Sequence, residues 1–279
     1  MRRVVAAVAL VMTVGACGQA VDRPQMVSGA SAAPSGPTAK APPSPSDEPS
    51  EEPSEEPSKA VPTDRQVPKS GAGTFAVAAG AGAAIGTGRT LITYRVEVEK
   101  GVKWGDLEKV TPTSFAEEIE RVLEDPRGWS AAAEHPITDS KQGLKKASWK
   151  FKRVSGAQYK VRVRLATPDT VDRLCGKIGL NTRGKFSCKF ENTVVINLRR
   201  WLQGAPNYPV TVDEYHAAVI NHEIGHALGF QHQGCPGRGK PAPAMMQQTI
   251  ELDGCVPNVW PFARGGRFIT GPHQPSTSG

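Results

Sequence analysis

A chain of 279 residues with 38% hydrophobic and 22% charged residues and a formal charge of +7 has room for one or two domains. Beyond the first seventeen positions, residues up to 69 hold few large apolar side chains. That leaves about 200 residues for one ordinary domain with a real core and excludes a second of similar size. The charge is uneven. Gly18 to Ser70 carries eight acids against five bases, a net of −3; Arg2 and Arg3 add +2; the remainder carries 27 bases against 19 acids, a net of +8. A basic domain behind an acidic tether suits an anionic partner surface, either nucleic acid or the anionic polymers of a bacterial envelope, with solubility alone as the plain alternative.

The first seventeen residues read as an address. Arg2-Arg3 is a charged n-region, and Val4 to Val14 is an apolar run of signal-peptide length, too short to remain as a membrane-spanning helix. It ends Val14-Gly15-Ala16-Cys17, which resembles the bacterial lipobox, with Cys17 as the lipidated mature N-terminus. Lipidation and ordinary cleavage both take the protein out of the cytoplasm, so the expected place is a bacterial cell surface and nucleic acid is not an expected partner. From Gly18 to about Ala72, Pro, Ser, Ala and Glu dominate, and Glu-Glu-Pro-Ser repeats across residues 51–58. Such a segment buries too little apolar surface to fold and should be extended. The expected division is a signal at 1–17, a disordered linker at 18–72, one domain at 73–270 and a disordered tail at 271–279. With Cys17 lipidated, four cysteines remain, an even number that reads as disulfides in an exported chain. Three pairings are open; proximity favours Cys175–Cys188 and Cys235–Cys255. None of the four has the short paired spacing of a structural zinc knuckle.

Regular structure is expected from Thr74. Phe75 to Ala78 is apolar and leads into a glycine-rich turn region ending at Gly88. Tyr94 to Glu99 alternates as a half-buried strand. Ser114 to Glu124 reads as a helix with Phe115, Ile119, Val122 and Leu123 on one face, ended by Asp125-Pro126. Two alternating strands follow at Trp149–Val154 and Tyr159–Leu165, then a short helix at Pro168–Leu174 and a strand at Thr193–Leu198. The next helix starts clearly: Thr211 and Glu214 form a capping box, and Val210 and Tyr215 suit a hydrophobic staple. It runs to about Leu228 and stops at Gly229, after which regular structure is scarce. This order describes an α+β domain: a mixed, twisted sheet, two main helices, and a small irregular C-terminal part.

The chemistry lies in His222-Glu223-Ile224-Gly225-His226-Ala227-Leu228-Gly229-Phe230-Gln231-His232. Four residues apart on a helix, His222 and His226 aim two imidazoles at one point. Glu223 is rotated by about 100° from His222, so it flanks a metal as a base without ligating it. Gly229 takes the left-handed conformation that ends helices and returns His232 toward the other two. Three protein ligands leave the fourth tetrahedral position open, the arrangement of a catalytic zinc site. Under independent residue usage, these five fixed positions match by chance in roughly one chain in 10⁵.

This segment resembles the signature of the metzincin zinc metallopeptidases, HExxHxxGxxH followed by a methionine turn. The resemblance implies one catalytic Zn²⁺ held by His222, His226 and His232, Glu223 as general base, and Met245 of Ala242-Pro243-Ala244-Met245-Met246-Gln247 as the methionine beneath the metal. It also implies a substrate lying along an edge strand, for which Thr193–Asn197 is the candidate by position. More narrowly, YRVEVE, DPRGW at 125–129, NHEIGH and the Met-Gln-Gln segment resemble the secreted actinobacterial domain of unknown function 3152, over roughly residues 74–262. One departure stands out: some metzincins carry a tyrosine after the methionine, and here no tyrosine follows Tyr215, leaving Gln247 and Gln248 as the nearby polar side chains. The implied function is a membrane-anchored, monomeric endopeptidase acting on a peptide or protein, cell-wall peptide included. The competing reading is a non-catalytic surface module organised by zinc. His135, His216 and His273 read as structural, as do Trp201 and Trp260.

Overall fold

The computed structural model describes residues 61–274. The signal with Cys17, the linker to residue 60 and residues 275–279 lie outside the described residues. Seven strands form the main sheet: β1 (Phe75–Val77), β2 (Ala84–Ile85), β3 (Thr90–Glu99), β6 (Trp149–Arg153), β7 (Val161–Ala166), β8 (Cys188–Phe190) and β9 (Thr193–Asn197). A separate hairpin joins β4 (Ile137–Asp139) and β5 (Leu144–Ala147). The sheet order is β2-β6-β3-β7-β9-β8, with β1 beside the second half of β3. β3 pairs in parallel with β6 and β7, and β7 in parallel with β9, while β1, β2 and β8 run antiparallel to their neighbours. The sheet is therefore mixed, as expected. Four α-helices occur among the described residues: α1 (Pro112–Glu124), α2 (Pro168–Gly176), α3 (Leu198–Gln203) and α4 (Val212–Ala227).

The alternation of β3 sorts its side chains. Ile92, Tyr94, Val96 and Val98 face the main core, where they meet Phe115, Ile119, Val122 and Leu123 of α1 and Ile220 and Ile224 of α4. Fully burying side chains of this size contributes about 1.5–3 kcal/mol each, so this layer fixes the register between sheet and zinc-motif helix. On the other face, α2 covers only part of the sheet, through Val171 and Cys175 against Ala166, Val195 and Cys188. Both favoured disulfides are present, Cys175–Cys188 and Cys235–Cys255. The first ties α2 to β8 on this face.

Five expectations are corrected. Thr193–Asn197 is not an edge strand, because β9 is paired on both sides and the three-residue β8 forms the edge. That strand also ends at Asn197, whose side chain accepts from the Arg199 amide and starts α3 at Leu198. The linker ends earlier than residue 72: Val67 is buried, Gln203 donates to the Pro62 carbonyl, Arg199 pairs with Asp64, and the Asp169 amide donates to the Lys69 carbonyl. Residues 271–274 are not free tail, since the Gln274 amide donates to the His232 carbonyl and the Gly234 amide to that of Pro272. In α1 the cap is Thr111, in a reciprocal box with Ser114, so the helix starts two residues before Ser114.

Beyond α4 the described chain has isolated bridges but no named helix or strand. Cys235–Cys255 closes a loop of 20 residues around the methionine segment. Replacing both cysteines with serine is expected to lower stability by about 2–4 kcal/mol, read from denaturant unfolding, chiefly by freeing the unfolded chain.

Candidate metal centre

Helix α4 begins with the expected box: the Thr211 side chain accepts from the Glu214 amide, and the Glu214 carboxylate accepts from the Thr211 amide. Its end is a Schellman motif. The Phe230 amide donates to the Gly225 carbonyl, the Gly229 amide to that of His226, and Gly229 sits at φ +101°. This turn reverses the chain, and the Gln233 amide then donates to the Met245 carbonyl. His232 is thus held between the helix end and the methionine loop.

The structure brings His222, His226 and His232 together. His226 Nε2 lies 3.2 Å from His222 Nε2 and 3.1 Å from His232 Nε2, and one ligand atom from each residue falls within 4.8 Å of the others. Ligands at tetrahedral angles and zinc–nitrogen lengths are separated by about 3.3 Å. The Nδ1 atoms fix the tautomers. His222 Nδ1 is 2.9 Å from the Ala244 carbonyl and His226 Nδ1 is 2.8 Å from the Phe230 carbonyl. A carbonyl only accepts, so both Nδ1 atoms carry the proton and both Nε2 atoms present lone pairs to each other. Lone pairs at this separation repel unless a cation lies between them. Backbone acceptors behind ligand histidines are the usual means of orienting them. Burial, reinforced by the neighbouring imidazoles, pushes His222 down to about 3, and burial pushes His226 down to about 4 and lowers His232. All three are neutral at pH 7, the state that binds a metal. The donor set therefore fits Zn²⁺.

Glu223 occupies the next helical position and is 7% exposed. It lines a small cavity together with Ile119, Val163, Val194, Ile196, Ile220 and Ile224. Burial pushes its carboxyl up to about 7, with the Lys189 ammonium pulling the other way, a value suited to accepting and returning a proton near neutral pH. Lys189 escaped the sequence reading. It stands opposite Val194 in the β8–β9 register, which puts it on the sheet face that α4 and its Glu223 pack against. Its ammonium also lowers His226. The sequence signal was one base on a strand too short to show alternation.

Met245 is buried at 1% exposure beneath α4. Gly225 permits this approach: a Cβ there would lie 2.2 Å from Met245 Sδ and 2.8 Å from the Trp129 ring. Gly225→Ala is accordingly expected to destabilise the protein by about 1–3 kcal/mol through overpacking, despite the helical preference for alanine. Urea unfolding of the two proteins measures it. Gln248 is committed to the loop. Its Oε1 accepts from the Tyr208 hydroxyl and the Asn258 amide, and its Nε2 donates to the carbonyls of Pro243 and Asn258. A tyrosine from before α4 thus braces the methionine loop.

The remaining histidines lie outside the triad. His216 stacks on Trp201 at 3.7 Å and bonds its carbonyl, His273 meets Asp139 at 3.1 Å, and His135 lies near Phe262. Trp201 is buried against Phe115, and Trp260 carries the Arg127 guanidinium at 4.2 Å. No helix among the described residues is long and apolar enough to cross a membrane.

No curated protein and no solved structure matches the chain. One family model does, described as Protein of unknown function (DUF3152), across residues 61–259. That span takes in every residue of the histidine triad and its glutamate and covers most of the 279 residues; the chain belongs to the DUF3152 family.

Proposed function

We propose that the chain is an exported, zinc-dependent endopeptidase of the metzincin type, anchored to the cell surface through Cys17. The observation that carries this reading is the convergence of three neutral imidazoles, at 3.1–3.2 Å along the two measured edges, with a buried carboxylate one residue beyond the first. A structural zinc site has no use for that carboxylate. Zinc held there supplies Lewis-acid chemistry, polarising a carbonyl and acidifying water. Glu223 takes the proton of the attacking water and returns it to the leaving amine. Ala244 and Phe230 hold His222 and His226 in register through their carbonyls. Lys189, on the edge strand, adds a positive charge felt by both Glu223 and His226, of the sign that would favour a carbonyl oxygen gaining negative charge. An extended substrate would add to the free side of β8 by main-chain hydrogen bonds. Such pairing reads backbone more than side chains.

The test is hydrolysis by the zinc-loaded protein of a mixed peptide library and of purified wall peptides, with and without a chelator. Chelator-sensitive cleavage of either substrate is expected, and the products show which is cut. A fully zinc-loaded protein inert toward both would favour a binding module.

A further inference from the structure

Among the described residues, the half of the sheet's outer face that α2 leaves bare carries Arg95 of β3, Lys150 and Lys152 of β6, Arg162 and Arg164 of β7, and Lys160 at the entry to β7. The parallel register sets Arg95 beside Arg162, Glu97 beside Arg164, Thr93 beside Lys152 and Leu91 beside Lys150. Residues directly opposite share a face, so these six bases form one surface. Among the described residues the one acid of this bare part is the buried Glu97, paired with both Arg95 and Arg164, while Glu99 on the same strand face lies under α2, bonded to Thr167 and Thr170. Six bases less one acid leave +5.

Like charges directly opposite on neighbouring strands are destabilising, yet Arg95 and Arg162 occupy such a pair. Both guanidinium groups sit over the Tyr159 ring, at 4.6 and 5.2 Å, and the Nε of each is buried without a hydrogen-bond partner. An arriving anion would relieve the repulsion between the two charges, and guanidinium forks match phosphate. The same face exposes two apolar side chains, Leu91 at 36% and Val77 at 37%; Val77 joins it through its register with Glu97. A free polyanion has no use for them. Bases interspersed with exposed apolar groups are what a headgroup layer with an acyl boundary beneath it accepts.

We propose that this bare half-face of the sheet is a docking surface for an anionic lipid membrane, separate from the metal centre and from the acyl anchor. Docking there presents the sheet to the bilayer and leaves the opposite face, with α4 and the triad, turned away from it.

The test uses the mature chain from Gly18, so that neither the signal's apolar run nor an acyl group contributes, mixed with vesicles of phosphatidylcholine alone or with added phosphatidylglycerol. Binding is expected only to the anionic vesicles, and added salt should release it. Lys150→Gln with Lys152→Gln should weaken it by roughly 30-fold, the scale for two bases at an anionic surface. Lys240→Gln with Arg264→Gln, exposed bases elsewhere, should lose much less, and zinc content and circular dichroism check that each variant is folded. Equal binding to neutral vesicles would overturn the proposal, as would equal losses for the two pairs. Binding to soluble poly(glycerol phosphate) but to neither vesicle would assign the face to a polymer and overturn the membrane reading.

Discussion

Replacing Glu223 with glutamine is expected to lower turnover by roughly 10²- to 10⁴-fold with zinc still bound, the scale for losing a general base. Glutamine keeps the size and the hydrogen-bonding reach but cannot accept the proton. The change also removes a buried group whose charged form is disfavoured, since burial holds the carboxyl near 7. Thermal stability at neutral pH should therefore hold or rise slightly, which separates a chemical defect from misfolding. Metal content and turnover measured on one preparation decide the matter. Near-native turnover with full zinc would remove Glu223 from the mechanism. Lys189→Met makes a useful companion, because it alters the charge facing the site from β8 without touching a ligand.

Replacing His226 with alanine is expected to abolish metal retention on dialysis and, with it, all turnover. His226 is central to the triad: its Nε2 is the atom within 3.2 Å of both other Nε2 atoms. Its removal leaves two ligands, which do not hold zinc against a chelator, and frees the Phe230 carbonyl that accepts from Nδ1. Loss of activity here comes from loss of metal, whereas in Glu223→Gln it comes from loss of a base. Together the two variants separate holding the ion from using it. Full stoichiometric zinc in His226→Ala would mean that the triad is not the site.

The triad was legible in sequence because every feature that builds it is local. Thr211 and Glu214 start the helix, four-residue spacing aligns His222 with His226, and Gly229 sets the turn that returns His232. The disulfides were legible for the same reason, since each joins near neighbours in the chain. Sheet pairing is not local. β8 has three residues and exists as a strand only through its bonds to β9, so neither its edge position nor the placement of Lys189 on the glutamate's face could be read beforehand. Residues 61–72 failed differently. Their composition is that of the linker, and single contacts hold them, such as Gln203 to the Pro62 carbonyl. Tyr208 precedes α4 yet braces Gln248, forty residues later, a contact that no spacing rule anticipates.

The most direct measurement of the central claim is anomalous diffraction at the zinc edge from crystals of the protein as purified. The account predicts one peak, about 2.0–2.1 Å from the Nε2 atoms of His222, His226 and His232, beside the Glu223 carboxylate but not ligated by it. A crystal with no zinc peak at the triad, or with its zinc elsewhere, would contradict it.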